Sequence, residues 1–349
     1  MIFTSDNWAG AHPAIAASLS AHSTGFAAAY GTSDLDRKVE ASFNEIFGRE
    51  VAVFFVGTGT AANSLALSAV SKPGGVSFCH REAHVIADEC GAPEFFSQGS
   101  RLVPVDGAEG KMDPALLEAE IARFPKGFVH GGQPVAITLT QATEAGTVYT
   151  ADEIRAISKI ARAHGLPLHM DGARFANGLV ALNLTPAQMT VDLGVDIVSF
   201  GGTKNGCWCA EALVFLDPGM ATQVPFIRKR AAQLFSKSRF IAAQFDAYFE
   251  GGLWLDVARH ANAMAARLQA GIEASTRTRL AWRSPANEIF PIVPKDLASD
   301  MAAKGAMFYE WSPPRSARHL VGEGETMLRL VTSFATTEDQ VDRFVDLLG

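Results

Sequence analysis

Cysteine is scarce in this chain, with four residues in 349: Cys79, Cys90, Cys207 and Cys209. None of them has the paired CxxC spacing of a structural zinc site, and four are too few for the disulfide framework of a secreted domain. The sequence therefore predicts reduced thiols, a cytoplasmic location and no bound metal.

Long apolar runs are also missing. No window approaches the roughly 20 uninterrupted apolar residues that a membrane span requires. The opening segment Met1–Asn7 contains no basic region followed by an apolar core, so no signal peptide is expected. We therefore predict an intracellular protein without a membrane span.

Positive charge is in deficit, because 30 Lys and Arg face 37 Asp and Glu, for a net charge of −7. This balance argues against nucleic acid or anionic membranes as partners. Basic residues gather only in Arg228–Arg230 and Lys237–Arg239. Such short clusters are typical of a solvent-exposed helix surface. The functional alternative is a helix that contacts a phosphate or another subunit.

The chain has ample apolar material, since 48% of its residues are hydrophobic and 19% are charged. Short strand-like runs alternate with helical patterns, as in Val51–Val56 before a helix over 61–70, and Val135–Leu139 before a helix over 151–164. Because the strands lack period-two alternation, we predict an α/β fold with a mostly parallel sheet covered by helices. Functional residues of such sheets lie at the carboxyl ends of the strands.

Three regions are expected along the chain. Residues 1–15 would form an N-terminal arm that joins the small domain or the active site, and residues 16–250 a large domain. From residue 251 a helical pattern over Leu253–Ala274 leads into a proline-rich stretch with few strand signals. Residues 251–349 are therefore predicted to form a smaller α+β domain.

Lys204 follows a short apolar strand and stands among small residues in Ser199–Gly206. By itself it is most simply a solvated loop lysine. A lysine at the end of a buried strand, downstream of the carboxylate Asp171, is also the pattern that an enzyme with pyridoxal phosphate (PLP) needs for covalent attachment of the coenzyme.

The segment Gly57–Asn63 is rich in glycine and hydroxyl groups and lies between a strand and a helix. Glycines allow a phosphate to approach the backbone, while Thr60 and the free amides of a helix start can donate to it. The segment is neither a Walker loop nor a dinucleotide fingerprint. A plain turn in which Thr58 or Thr60 caps the helix is an equally good interpretation.

Asp171 lies at a strand end in His169–Arg174. A carboxylate there can pair with the pyridine nitrogen of PLP and keep it protonated. Arg174 follows three residues later, and its forked guanidinium suits a substrate carboxylate. The structural alternative is an ion pair between Asp171 and Arg174.

These elements, taken in order, resemble the low-specificity L-threonine aldolases, which are PLP enzymes of fold type I, the aspartate aminotransferase fold. The resemblance runs from Phe3 to the carboxyl terminus. It rests on Thr4–Asp6, Ala29–Gly31, Gly57–Asn63, His84–Glu89, His169–Arg174, Thr203–Lys204 and Leu328–Arg329.

The resemblance implies roles around the coenzyme. Lys204 would hold it covalently and Asp171 would contact its ring nitrogen, while His84 would stack on its ring. Phosphate would be bound by Gly59 and Thr60, with Thr58, Thr203 and Arg174 nearby. A basic residue of Arg228–Arg230 in a neighbouring subunit would also contact it, and Arg230 is the predicted one.

It also implies a substrate site. Ser5, Arg174 and Arg329 would bind the substrate carboxylate, and Tyr30 would line the pocket across a subunit interface of a homotetramer built as a dimer of dimers. Taken singly, His84 and Ser5 are more often capping residues, Arg329 a solvent-exposed strand residue and Tyr30 half-buried packing.

The implied reaction is the cleavage of L-threonine or L-allo-threonine to glycine and acetaldehyde. Many relatives carry a histidine that faces the β-hydroxyl where this chain has Thr143, so His84 is the first candidate base, followed by Glu89 and Glu144. The same departure resembles a subgroup that includes phenylserine aldolases. Rival interpretations are another PLP lyase, an aminotransferase, or a non-catalytic phosphate-binding module.

Overall fold

A seven-stranded sheet forms the centre of the protein, whose computed structural model describes residues 1–349. Its strand order is β1-β7-β6-β5-β4-β2-β3, and β7 alone runs antiparallel to its neighbours. The strands are β1 Ala52–Val56, β2 Gly75–His80, β3 Arg101–Val105, β4 Gln133–Thr140, β5 Leu168–Gly172, β6 Ile197–Gly201 and β7 Glu211–Phe215. The predicted α/β fold with a mostly parallel sheet is confirmed.

Helices cover both faces of this sheet. Those that precede the small domain are α1 Pro13–Ala21, α2 Asp34–Phe47, α3 Gly59–Val70, α4 His84–Ala87, α5 Ala92–Phe96, α6 Pro114–Ala122, α7 Ala151–His164, α8 Phe175–Leu182, α9 Pro186–Met189, α10 Val224–Arg230 and α11 Arg239–Phe249. Short 3-10 helices span Asp6–Trp8, Val191–Leu193, Thr203–Asn205, Pro218–Ala221 and Glu250–Gly252.

The two faces differ in their packing. One face buries edge-to-face phenylalanines, with Phe43 lying 5.2 Å from Phe200 and 5.4 Å from Phe245 between ring centroids. On the other face, α3 packs Leu65 against Val56 and Leu213. Helix α3 therefore lies directly on the sheet and begins at its carboxyl edge.

Local signals explain where helices α3 and α7 begin and where α7 ends. Helix α7 matches the predicted 151–164 because Thr150 and Glu153 form a capping box and Gly165 ends the helix with φ of 68°. Helix α3 begins two residues before the predicted start, since Thr58 serves as its N-cap and accepts from the amide of Ala61 at 3.1 Å.

The C-terminal region contains more strands than expected. Its elements are α12 Leu253–Ala274, β8 Arg279–Leu280, β9 Glu288–Ile289, β10 Pro291–Pro294, α13 Lys295–Ala303, β11 Tyr309–Trp311, β12 Glu325–Val331 and α14 Glu338–Val345, with 3-10 helices at Arg315–Leu320 and Asp346–Leu348. The strands pair antiparallel in the order β11-β12-β10-β8, and β9 also pairs with β12. The expectation of few strands was wrong because strands of two to four residues show no periodicity.

The N-terminal arm packs on this second sheet. Phe3 is fully buried, donates its amide to the carbonyl of Met307 at 2.8 Å and accepts from Val331 at 2.8 Å. Helix α1 begins at Pro13, slightly before the expected end of the arm at residue 15. Gly251 and Gly252, both with positive φ, separate α11 from α12 where we place the domain boundary.

None of the helices combines the length and the apolarity that crossing a membrane would require.

Candidate active site

A cavity of about 260 Å³ opens at the carboxyl edge of the large sheet. All three sequence elements contribute to its wall. It is lined by Asn7, Gly57, Thr58, Gly59, Thr60, Asn63, His84, Glu89, Asp171, Ala173, Thr203, Lys204 and Glu211. The separation of these residues in the chain is large, so the fold is what brings them together.

The start of α3 forms one end of the cavity. Thr58 satisfies the amides of Ala61 and Ala62 through its side chain and its carbonyl, each at 3.1 Å. The amides of Gly59 and Thr60 precede the first intrahelical bond and have no partner in the helix. A side chain at Gly59 would meet nothing within 4 Å, which shows how open this turn is. The turn combines an N-cap with an anion-binding geometry.

The loop before α3 is supported from the segment after α10. The amide of Gly57 donates to Oε1 of Gln233 at 3.0 Å, and a Cβ added at Gly57 would come within 3.1 Å of Phe235. Arg228 is buried and its Nε donates to the carbonyl of Gln233 at 3.3 Å. This basic residue therefore braces the loop within its own subunit.

Asp171 is buried at the end of β5 and does not pair with Arg174. Its Oδ1 accepts from the amide of Ala173 at 3.1 Å, and its Oδ2 accepts from Nδ2 of Asn63 at 2.9 Å. The same Asn63 nitrogen donates to Oε1 of Glu89 at 2.8 Å. Asn63 thus joins two buried carboxylates that have no arginine or lysine partner.

His84 completes this network. Its Nδ1 lies 2.9 Å from Oε1 of Glu89, whose side chain is fully buried. The hydrogen bond to Glu89 raises the pKa of His84, against the opposing effect of burial. The imidazole Nε2 has no partner in the chain, so His84 can both face a ligand and exchange a proton.

Lys204 lies in the 3-10 turn Thr203–Asn205, and its amine makes no ion pair. The turn is fixed by Asn205, which donates to the hydroxyl of Tyr248 at 2.6 Å and to the carbonyl of Trp254 at 2.8 Å. Thr203 accepts from the amide of Ala210 at 3.2 Å. The lysine is thus held by its neighbours while its own amine stays available.

The predicted carboxylate-binding arginines lie outside this cavity in an arginine cluster of Asp6, Arg174, Glu288 and Arg329. Arg174 donates to Asp6 through Nε at 2.8 Å and Nη2 at 3.1 Å, and its Nη1 lies 3.0 Å from Glu288. Arg329 donates to Glu288 through Nε at 2.9 Å and Nη2 at 2.6 Å. To contact a substrate, Arg174 would have to use N–H donors beyond those that it gives to Asp6 and Glu288.

Three further predicted residues, Ser5, Tyr30 and Arg230, do not line the cavity. Ser5 caps the 3-10 turn of the arm by accepting from the amide of Asn7 at 3.1 Å. Tyr30 is half exposed and lies 5.5 Å from the amine of Lys229, and Arg230 is exposed. Neither Tyr30 nor Arg230 lines the cavity of its own subunit.

Thr143 is fully buried and bonds to the hydroxyl of Thr147 at 2.8 Å. It does not reach the cavity. The next residue, Glu144, makes no hydrogen bond, and burial followed by the charge of Glu288 raises its pKa. Glu144 lines a second cavity of about 50 Å³, with aromatic walls from Trp282, Phe290 and Trp311.

Sequence reasoning missed several cavity residues. Asn63 lies in the segment Gly57–Asn63, but the sequence assigned no role to it. Asn7 lies two residues after the predicted Ser5 and was also given no role. Glu211 escaped notice entirely, although an acidic residue at the start of the apolar run Glu211–Phe215 is a usable signal. Its side chain is buried, and burial raises its pKa to about 7.

Comparison with known proteins identifies the family. Residues 3–292 match the model of the family described as beta-eliminating lyases. Over 318 residues, 91% of both chains, the sequence is 39% identical to a low specificity L-threonine aldolase of Pseudomonas sp. (strain NCIMB 10558). The chain belongs to the L-threonine aldolase family of beta-eliminating lyases. As a member of this family it is a PLP-dependent lyase, and the resemblance seen in the sequence is confirmed.

Solved structures agree with this membership in the L-threonine aldolase family. A threonine aldolase of Leishmania major superposes with a TM-score of 0.91 at 29% identity, covering 99% of this chain and 98% of that one. A serine palmitoyltransferase of Sphingomonas wittichii has a TM-score of 0.71 at 15% identity, over 100% of this chain and 86% of that one. The second likeness concerns the fold alone and confirms fold type I.

Proposed function

We propose that this enzyme binds PLP in the 260 Å³ cavity and cleaves L-threonine or L-allo-threonine to glycine and acetaldehyde. The observation that supports this most strongly is the meeting of Lys204, Asp171 and the start of α3 on one cavity. A phosphate-binding module would need only the last of these. The scarcity of cysteine supports a cytoplasmic location.

The chemistry of the cavity wall fits PLP. Two free helix amides suit the phosphate, the carboxylate of Asp171 suits the ring nitrogen, and the unpaired amine of Lys204 suits the aldehyde. Oδ1 of Asn63 and Oε2 of Glu89 are buried acceptors without a donor. Such orphaned atoms favour a ligand that supplies donors to this wall.

Once bound, PLP supplies an electron-withdrawing ring that accepts the electron pair of the broken Cα–Cβ bond. Lys204 would hold the coenzyme, and Asp171 would keep the ring nitrogen protonated. Gly59 and Thr60 would bind the phosphate, with Thr58 and Thr203 beside them and Arg230 contributed by a neighbouring subunit. Arg174 lies outside the cavity and is not part of this set.

His84 would cover one ring face and take the β-hydroxyl proton at Nε2, while Glu89 holds the opposite nitrogen. The buried position of Thr143 supports this assignment because it removes the residue at the usual histidine position from the cavity. Glu89 and Glu144 are the next candidate bases.

The substrate carboxylate would be bound by Ser5, Arg174 and Arg329. Tyr30 would reach the site from a neighbouring subunit, which its exposure supports because an exposed aromatic ring is free to enter a partner's site. We therefore propose a homotetramer made of two dimers, in which active sites lie between subunits.

An aryl substrate is the second candidate. The 50 Å³ cavity beside Glu144 has three aromatic side chains in its wall, and such walls favour a planar β-substituent over a methyl group. A preference for L-phenylserine, with benzaldehyde as product, would follow.

The decisive assay incubates the purified enzyme with L-threonine, L-allo-threonine, D-threonine or L-phenylserine, and measures glycine and aldehyde. We expect cleavage of the L substrates, and loss of both activity and the visible coenzyme absorbance in Lys204→Ala. Keto acid with ammonia would indicate β-elimination, and keto acid with an exchanged amino group would indicate transamination. Activity on D-threonine alone would contradict the proposal.

A further inference from the structure

The register of strand β7 in the sheet places Glu211 beside the proposed phosphate site. In the sheet it is paired with Val56 of β1 and Gly201 of β6. Side chains of directly opposed residues project from the same face. Val56 packs beneath α3, as do Leu213 and Phe215 of Glu211's own strand. Glu211 therefore occupies the α3 face, in the row nearest the start of that helix.

The carboxyl group of Glu211 is poorly neutralised. Its hydrogen-bond partner is Thr203, whose amide donates to Oε1 at 3.3 Å and whose side-chain hydroxyl also bonds to it, and it takes part in no ion pair. Lys204 and Asp171 are the charged groups that act on it, with opposite effects. The other titratable groups that it influences are Cys207, Cys209 and Tyr248.

A phosphate bound at the start of α3 would meet this carboxyl group within one cavity. Two anions that share one cavity repel each other, whereas a protonated carboxyl can donate to a phosphate oxygen. Burial already raises the pKa of Glu211 to about 7, so adding the proton near neutral pH costs little.

We propose that Glu211 is a proton-carrying ligand of the coenzyme phosphate, so that binding takes one proton from solvent onto its carboxyl group. The inference rests on the proposed binding of PLP but adds a residue and a pH dependence to it. The carboxyl then donates to the phosphate, and no covalent bond changes. The alternative is that Glu211 exchanges a proton with the amine of Lys204, and the test must distinguish this from donation to the phosphate.

The test uses apoenzyme with pyridoxine 5′-phosphate, which has no aldehyde and cannot react with Lys204, and with pyridoxine as the phosphate-free probe. Dissociation constants are measured by calorimetry between about pH 7 and pH 9, above the second phosphate pKa of about 6. Wild type should bind the phosphate probe up to about tenfold more weakly for each unit of rising pH, the limit for one linked proton. Glu211→Gln should remove most of this slope, and pyridoxine should show none in either protein.

Glu94→Gln is the matched control, because Glu94 is a partly buried glutamate near α3 that does not line the cavity. It should keep the wild-type slope. A direct measurement needs no variant: at about pH 8, binding of the phosphate probe to wild type should take up close to one proton, read from calorimetry in two buffers of different ionisation enthalpy.

Equal slopes in wild type and Glu211→Gln, or no proton uptake, would overturn the role of Glu211 and leave coenzyme binding intact. A slope that appears with pyridoxine as well would place the proton on Lys204 or its neighbours and also overturn it. Failure of wild type to bind both the phosphate probe and PLP would instead refute the proposed function.

Discussion

Buried carboxylates occur in two regions of this protein, and they differ in what neutralises them. In the arginine cluster, Asp6 and Glu288 share Arg174, and Glu288 also accepts from Arg329. In the cavity, Asp171 is held by amide donors and has no arginine partner.

The comparison separates charges that hold the chain together from charges that face a ligand. The arginine cluster joins the N-terminal arm, the end of β5 and strands β9 and β12, so its ion pairs tie the small domain to the large one. The cavity carboxyl groups Glu89, Asp171 and Glu211 keep unused hydrogen-bonding capacity for a ligand. Breaking each set should have different consequences.

Glu288→Ala should cause the largest loss of stability. It leaves the buried guanidinium of Arg174 without one of its two carboxylates and Arg329 without its acceptor. Removing one partner of a buried ion pair costs about 3–5 kcal/mol. Urea unfolding of the apoenzyme measures this, with Glu288→Gln as the control that keeps an acceptor. A loss near zero for Glu288→Ala would mean that the cluster does not hold the domains together.

Glu211→Gln should have the opposite effect at high pH. Because the folded-state pKa is raised from 4.5 to about 7, wild-type stability falls as pH rises through this window, when the buried carboxyl must ionise. The full difference corresponds to about 3 kcal/mol at 1.36 kcal/mol for each pKa unit. The variant should therefore gain stability relative to wild type between about pH 5 and pH 8. Parallel pH profiles of unfolding free energy for the two proteins would contradict the shift.

His84→Ala should lower turnover by about a hundredfold, the lower range for loss of a general base, while PLP still binds. Glu89→Gln should have a smaller effect and a distinct signature. The neutral amide of Gln is a weaker acceptor than the carboxylate, so the pKa of His84 should fall and the acid limb of kcat/KM should move to lower pH. Both are followed as pH profiles together with coenzyme absorbance. Unchanged turnover in His84→Ala would remove His84 from the role of base and leave Glu89 and Glu144 as the candidates.

Arg267→Gln should change the stability of the protein least. Arg267 and Asp342 form a bidentate pair on the surface, with Nε and Nη2 at 2.7 and 2.8 Å from the carboxylate. Water and salt screen such exposed pairs, so the contribution is small despite the short distances. Thermal unfolding should show a Tm within experimental error of wild type. A clear drop would show that distance, and not burial, decides what an ion pair contributes here.

Much of the fold was predictable from local pattern. Helices α7 and α12 match their expected ranges of 151–164 and 253–274, because periodicity persists over several turns and, for α7, caps define both ends. Strands β8 to β10 have four residues or fewer and were missed, since so short a stretch shows no period.

The candidate site was predictable in part. Asp171 lies at the end of a strand, and Gly59 and Lys204 follow strand ends. The parallel order of β4, β5 and β6 brings such ends to one edge. The hydrogen bonds from Asn63 to Glu89 and Asp171 link positions 26 and 108 residues away, a spacing that no motif encodes.

The amino-acid sequence by itself determined the helices whose periodicity extends over several turns, the family, and the residue types available for chemistry. These depend on local spacing and on the order of motifs. Only the tertiary structure decided which of those charged groups are engaged and which are free. Arg174 is paired with Asp6 and Glu288, whereas Glu211 lies buried at the start of α3. Neutralisation and burial depend on neighbours that are distant in the chain, and those neighbours set the pKa values and the binding capacity of the site.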